Sequence, residues 1–154
     1  MTSTEKREYE LKKKVREQFK TSLKKCYKSK ETTMLLIKQN EEFIENFKTK
    51  KEEVNELKEK YKNQIEKARI GAEKYENNIR NKGEQYIRTK RTIYLELLSM
   101  DKNVEVKNQE LEYFDASIEI YKQQIEFQKE ILSITEKDIE VILYDLEYNI
   151  KYSI

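Results

Sequence analysis

The sequence predicts an all-α protein: an elongated coiled coil or helical bundle of long antiparallel helices, with a turn near residues 80–84 and an earlier break near residues 29–33. The chain of 154 residues contains no proline and only two glycines, so few positions can end a helix. Charged residues make up 40% of the chain and apolar residues 36%, which is typical of long helices that bury one narrow face. We expect one elongated helical domain over residues 1–154.

The first helix is expected over residues 1–30, which are basic and prone to fray. Thr2 and Glu5 have the spacing of a capping box, in which each side chain bonds the backbone of the other residue. Apolar residues then follow at steps of four, at Leu11, Val15, Phe19, Leu23 and Tyr27. Because these residues form one narrow stripe that shifts slowly around the helix, we expect this segment to bury little surface.

The earlier break is placed at residues 29–33, where Thr32 or Thr33 can cap a second helix. That helix is expected over residues 34–80. It opens on the apolar run 34–37, which should be buried. Its seam keeps alternating steps of three and four, the heptad spacing of a left-handed coiled coil. The seam residues are Ile44, Phe47, Lys51, Val54, Lys58, Tyr61, Ile65, Ala68, Ala72, Tyr75 and Ile79.

A turn is expected at residues 80–84, since a glycine after basic residues and before an acidic one is a common helix-stop signal. Gly83 would follow the helix in a left-handed conformation with positive φ. Residues 1–100 carry 26 basic and 17 acidic side chains, whereas residues 101–154 carry 6 and 13. A hairpin at this turn would therefore lay an acidic arm along a basic one.

The long helix expected over residues 84–150 has two apolar seams. The first seam keeps the three-and-four alternation from Ile93 to Asn149 and contains Ile118, Ile125, Leu132 and Ile139. The second seam recurs at steps of seven. It lies about 100° around the helix from one of the two alternating positions that form the first seam. Its members are Val106, Tyr113, Ile120, Phe127, Ile134, Val141 and Tyr148. All of these residues are predicted interface residues.

Two complete seams predict that this helix contacts at least two neighbouring helices, because a two-stranded coiled coil needs only one stripe. Either the chain folds back twice, using both breaks, or separate hairpins associate.

Two short segments also show strand-like patterns. Residues 146–154 alternate strictly between apolar and polar, as a half-buried strand does. Residues 93–98 and 104–107 could form a β-hairpin between two helices, an arrangement similar to that of a prefoldin subunit. Both readings compete with continued helix.

The composition excludes most of the residue combinations that form catalytic and metal-binding sites. Without histidine there is no catalytic triad, no histidine-based zinc site and no di-iron motif. The isolated Gly71 and Gly83 cannot form a phosphate-binding glycine loop. Cys26 is the only cysteine, and we expect it to be partly buried. No catalytic, cofactor or metal site is therefore predicted.

Three basic stretches are candidate contacts for phosphate groups of nucleic acid or an anionic membrane. They contain Lys12, Lys13, Lys14, Lys24, Lys25, Arg88, Lys90 and Arg91. Interspersed glutamates favour an ordinary solvated helix face instead.

The sequence therefore predicts a structural protein that acts by helix–helix interaction, as a homo-oligomer or as a subunit of a larger helical complex. One alternative is a membrane- or nucleic-acid-binding protein that uses its basic arm, for instance as a crescent in the style of a BAR domain. Another is a small adaptor that docks on one partner protein. The single cysteine and the lack of an apolar leader predict a cytoplasmic location.

Overall fold

The computed structural model describes residues 2–80 and 83–152, with side chains described as far as Tyr148. Within these residues the chain forms two α-helices, α1 (Ser3–Asn78) and α2 (Glu84–Tyr152), and no strand. The two helices pack against each other, so the all-α prediction is confirmed.

The N-terminus of α1 is held by the predicted capping box. The backbone N–H of Glu5 donates to the Thr2 hydroxyl, and the backbone N–H of Thr2 donates to the Glu5 carboxylate, both at 3.2 Å. The backbone N–H of Lys6 donates to the Thr2 carbonyl at 3.0 Å. These bonds satisfy backbone groups that a helix end leaves without partners.

The predicted break at residues 29–33 is wrong, since α1 continues through it. The Thr32 hydroxyl donates to the carbonyl of Lys28, one turn earlier, and so does not cap a new helix. Thr33 is only 5% exposed and takes a position in the packed face of α1. Both threonines therefore lie inside one continuous helix.

The two helices are joined at the predicted turn, of which residues 81 and 82 lie outside the described part of the chain, and Gly83 has a different role there. α1 ends at Asn78, five residues before Gly83. The backbone N–H of Ile87 donates to the Gly83 carbonyl at 3.3 Å, which is the first hydrogen bond of α2. Gly83 is thus the N-cap of α2, a position that glycine tolerates well, and its predicted place after α1 is wrong.

The chain divides into two compact units. The terminal unit joins Met1–Glu42 to Tyr121–Ile154, and the hairpin unit is Phe43–Ile120. In the terminal unit, Lys30 Nζ lies 3.7 Å from the Glu136 carboxylate. The terminal unit therefore brings part of the basic arm beside the acidic one, as predicted.

In the hairpin unit the two helices run antiparallel. Lys51 Nζ lies 2.6 Å from the Asp115 carboxylate, and the rings of Phe47 and Phe114 have centroids 6.0 Å apart. Nearer the turn, Arg69 lies 3.9 Å from Asp101. Residue numbers therefore rise along one helix as they fall along the other.

The packed face of α1 follows the predicted heptad spacing and extends it toward the N-terminus. Every position of the seam from Ile44 to Ile79 is buried or half-buried. The same spacing continues backward through half-buried or buried side chains at Asn40, Ile37, Thr33, Lys30, Cys26, Leu23 and Phe19. Cys26 is therefore a half-buried seam residue, whereas Tyr27 is exposed.

The predicted burial of residues 34–37 is mostly wrong. Met34, Leu35 and Leu36 are exposed, and only Ile37 is half-buried. Four consecutive helical residues point in four directions, and only one face of α1 meets α2 here.

Neither strand-like segment forms a strand in the described residues. Residues 93–107 lie inside α2, and so do residues 146–152. Residues 153 and 154 lie outside the described part of the chain. At the start of the alternating run, Leu146 continues the first seam of α2 and Tyr148 continues the second, so the helical pattern competes with the local alternation there.

Candidate protein-interaction surface

The first seam of α2 is the face that packs inside the chain. Ile118, Ile125 and Ile139 are buried, and Leu132 is half-buried. The neighbouring seam residue Phe114 contacts Phe47 of α1. These four predicted interface residues therefore belong to the contact between α1 and α2.

The second seam is exposed in both units. In the hairpin unit, Val106, Tyr113 and Ile120 are 49%, 63% and 55% exposed. In the terminal unit, Phe127, Ile134 and Val141 are each 59% exposed, and Tyr148 is 52% exposed. The idea that the chain folds back a second time to cover this seam is wrong for the described residues, because they form only two helices.

In the terminal unit the second seam has a mixed border. Glu130, Lys137 and Tyr144 follow seam residues by three positions, so they lie along one side. Ile131 and Asp138 follow seam residues by four positions and lie along the other side. Tyr144 is 68% exposed and widens the apolar surface.

The charged side chains at this border are not engaged in ion pairs within the described part of the chain. Among the described residues, Glu130, Lys137 and Asp138 form none of the ion pairs within 4.0 Å. An approaching helix would therefore meet an apolar row with Lys137 and Glu130 on one side and Asp138 on the other.

The predicted anion contacts on α1 are exposed, and carboxylates lie among some of them. Lys12, Lys13 and Lys14 are consecutive, so they point to three sides of the helix. Lys24 and Lys25 are also exposed. One groove is lined by the basic side chains Lys12, Lys13, Arg16 and Lys20 and by the carboxylates Glu5, Glu8 and Glu17. A phosphate there would meet carboxylates as well as cations.

Two of the three predicted anion contacts on α2 already have carboxylate partners. Arg88 lies 2.8 Å from Glu84, and Lys90 lies 2.9 Å from Glu76. Hydrogen bonds to Glu76 and then to Tyr86 raise the pKa of Lys90 above its ordinary value of 10.5. Arg91 is exposed.

The cluster around Glu76 was not predicted from the sequence. Tyr86 donates to the Glu76 carboxylate, and its ring stacks on that of Tyr75, with centroids 6.2 Å apart. Beside this cluster is an open cleft of about 440 Å³, lined by Ala72, Tyr75, Lys90, Ile93, Tyr94 and Leu97 among others. Both tyrosines sit at helical spacings that a sequence reading assigns to packing, so no separate signal marked the cluster.

The described residues contain no cluster of acidic or cysteine side chains that could hold a metal ion. The described helices also contain no stretch apolar enough to cross a lipid bilayer.

Comparison with protein-family models, curated proteins and solved structures finds no match to this chain.

Proposed function

We propose that this chain is a non-enzymatic assembly protein that works by helix–helix contact with another protein chain. The observation that carries this proposal is the second seam of α2. Seven residues at steps of seven are all apolar, and all are about half exposed or more. A solvated helix face has no need of such regularity, whereas a face that packs on another helix does.

The amount of surface left exposed supports the same proposal. The chain exposes 12520 Å², whereas a folded monomer of its 18.8 kDa is expected to expose about 8,300 Å². It therefore buries about 54% of the surface of the unfolded chain, less than the roughly 60% typical of a 60-residue domain. Burial against a partner would add the apolar contacts that the single chain lacks.

The rival function is binding to an anionic membrane or nucleic acid through the basic arm of α1. Its support is the exposure of Lys12, Lys13, Lys14, Lys24 and Lys25. We favour assembly because three carboxylates share the groove in which Lys12 and Lys13 lie. A cytoplasmic location is part of the proposal, and it rests on the single cysteine, which suits a reducing compartment.

Binding to anionic vesicles and to duplex DNA at two salt concentrations separates the two functions. The matched variant reverses Lys12, Lys13, Lys14, Lys24 and Lys25 to glutamate. Assembly predicts little binding of the unmodified chain to either polyanion near physiological salt. Tight binding that falls steeply with salt and is abolished by the reversal would overturn our proposal, because each neutralised phosphate releases counterions.

A further inference from the structure

We infer that the partner of the second seam in the terminal unit is a second copy of this chain, docked through Phe127, Ile134 and Val141 of its own α2. This inference rests on the proposed function and names the partner that it needs. Two chains would then associate α2 against α2, with each α1 on the outside of the pair.

The exposed apolar row of the terminal unit belongs to α2 alone. On α2, each second-seam residue lies two positions after a first-seam residue that begins a step of three. The positions related in the same way to the heptad spacing of α1 hold Gln18, Lys25, Thr32 and Gln39, and all of them are polar and exposed. α1 therefore cannot offer a matching row, whereas the α2 helix of a second copy offers an identical one. Such self-complementary contact is the usual basis of a two-fold dimer.

The exposed area of this row is of the size that a dimer needs. Phe127, Ile134, Val141, Tyr144 and Tyr148 are between 52% and 68% exposed. With full areas of roughly 150–250 Å² for large side chains, they present at most roughly 550 Å² on each copy. Complete coverage in a symmetric pair would bury at most about 1,100 Å² from these side chains, close to the roughly 1,000 Å² expected of a specific interface.

The charges beside the row are also self-complementary. Lys137 has Glu130 one heptad before it on the same side of the seam, and Asp138 on the other side. If the second copy runs parallel and in register, its Asp138 faces Lys137. If it runs antiparallel about Ile134, its Glu130 faces Lys137. Either direction places a carboxylate beside Lys137 and avoids a like-charge pair there.

Sedimentation equilibrium of the full chain from about 1 to 100 µM tests the inference, since this range spans typical homodimer affinities. The variants are Ile134→Glu and Val141→Glu. The control is Leu143→Glu, because Leu143 is also exposed on α2, at 42%, but on another side of the helix. Circular dichroism checks that each variant remains helical. A glutamate variant that loses helicity is replaced by the glutamine variant at the same position.

We expect the unmodified chain and Leu143→Glu to approach twice the mass of one 18.8 kDa chain. Ile134→Glu and Val141→Glu should raise the dissociation constant at least about 30-fold, the loss expected for a strongly contributing interface residue. A single-chain mass for the unmodified protein throughout this range would overturn the inference. So would an assembly that the seam variants leave intact, or one that Leu143→Glu disrupts equally.

The two proposals fail on different results. An assembly unaffected by the seam variants would remove the second-copy inference and leave the assembly function standing, with another face responsible. Polyanion binding through the basic arm would overturn the function itself.

Lys137→Glu should also weaken the dimer. Restoration by Asp138→Lys in the same chain would identify a parallel pair, and restoration by Glu130→Lys an antiparallel one. If Lys137→Glu has no effect, the charge argument is wrong.

Discussion

The phenolic hydroxyl of Tyr86 lies 2.7 and 2.6 Å from the two oxygens of the Glu76 carboxylate, which joins the last turns of α1 to the first turn of α2. Lys90 Nζ reaches the same carboxylate at 2.9 Å and the Tyr86 hydroxyl at 3.3 Å. The Tyr86 ring stacks on Tyr75 at an interplanar angle of 11°. Charge-assisted bonds of this kind are stronger than neutral ones, so the cluster should fix the two helix ends beside the turn.

Tyr86→Phe removes the hydroxyl and keeps the ring. We expect a loss of about 1 kcal/mol in the free energy of unfolding, because a hydrogen bond to a carboxylate is lost while the stacking remains. Urea denaturation followed by circular dichroism measures the change. Tyr94→Phe is the control, since Tyr94 is 64% exposed on the same helix. Equal stabilities for the two variants would show that the Tyr86 hydroxyl contributes nothing.

Lys90 should make stability depend on pH at the alkaline end. Its pKa is raised above 10.5 by hydrogen bonds to Glu76 and Tyr86, so the folded chain holds this proton more tightly than the unfolded chain. The contribution is fully present below pH 10.5 and is lost as the pH rises through the higher pKa of the folded state. The stability difference between the unmodified chain and Lys90→Gln should therefore shrink above pH 10.5.

The control for this pH series is Lys102→Gln, at an exposed lysine of the same unit outside the cluster. Its stability should follow that of the unmodified chain at every pH. A difference between Lys90→Gln and the unmodified chain that stays constant across the alkaline range would contradict the assigned role of Lys90.

The two glycines should respond in opposite directions to substitution by alanine. Gly71 lies inside α1, and a Cβ atom there would have no neighbour within 4 Å. Gly71→Ala should therefore stabilise the chain by about 0.5–1 kcal/mol, because alanine favours the helix more than glycine does. Gly83→Ala should cost about 0.5–1 kcal/mol, since alanine is a poorer N-cap than glycine. Thermal melting measures both changes. Stabilisation by Gly83→Ala would refute the N-cap assignment.

Regular spacing explains which parts of the fold could be predicted. The first seam of α2 follows one alternation of three and four for eight heptads, and its described members are all buried or half-buried. A periodic pattern of that length leaves few competing structures. Thr2 and Glu5 were equally predictable, because a capping box is a local motif that needs no tertiary contact.

The errors arise where a residue type has two uses. Thr33 was assigned to a break because threonine is a good helix cap, but its methyl group also suits a packed seam. Met34, Leu35 and Leu36 were expected to be buried because they are apolar, but a helix with one neighbour exposes most of its circumference. Tyr86 and Glu76 could not be paired from sequence, since their contact depends on the register between the helices.

Alanine substitutions at Ile118 and Ile120 should differ in their effect on the free energy of unfolding, because the two residues belong to different seams of α2. Both are isoleucines of the hairpin unit, two positions apart, but Ile118 is 8% exposed and Ile120 is 55% exposed. Ile118→Ala should cost about 2–4 kcal/mol, because it removes buried side-chain atoms and leaves a cavity against α1. Ile120→Ala should change the stability of the single chain by less than about 0.5 kcal/mol. Urea denaturation at low protein concentration measures both, and comparable losses would mean that the second seam is already covered within one chain.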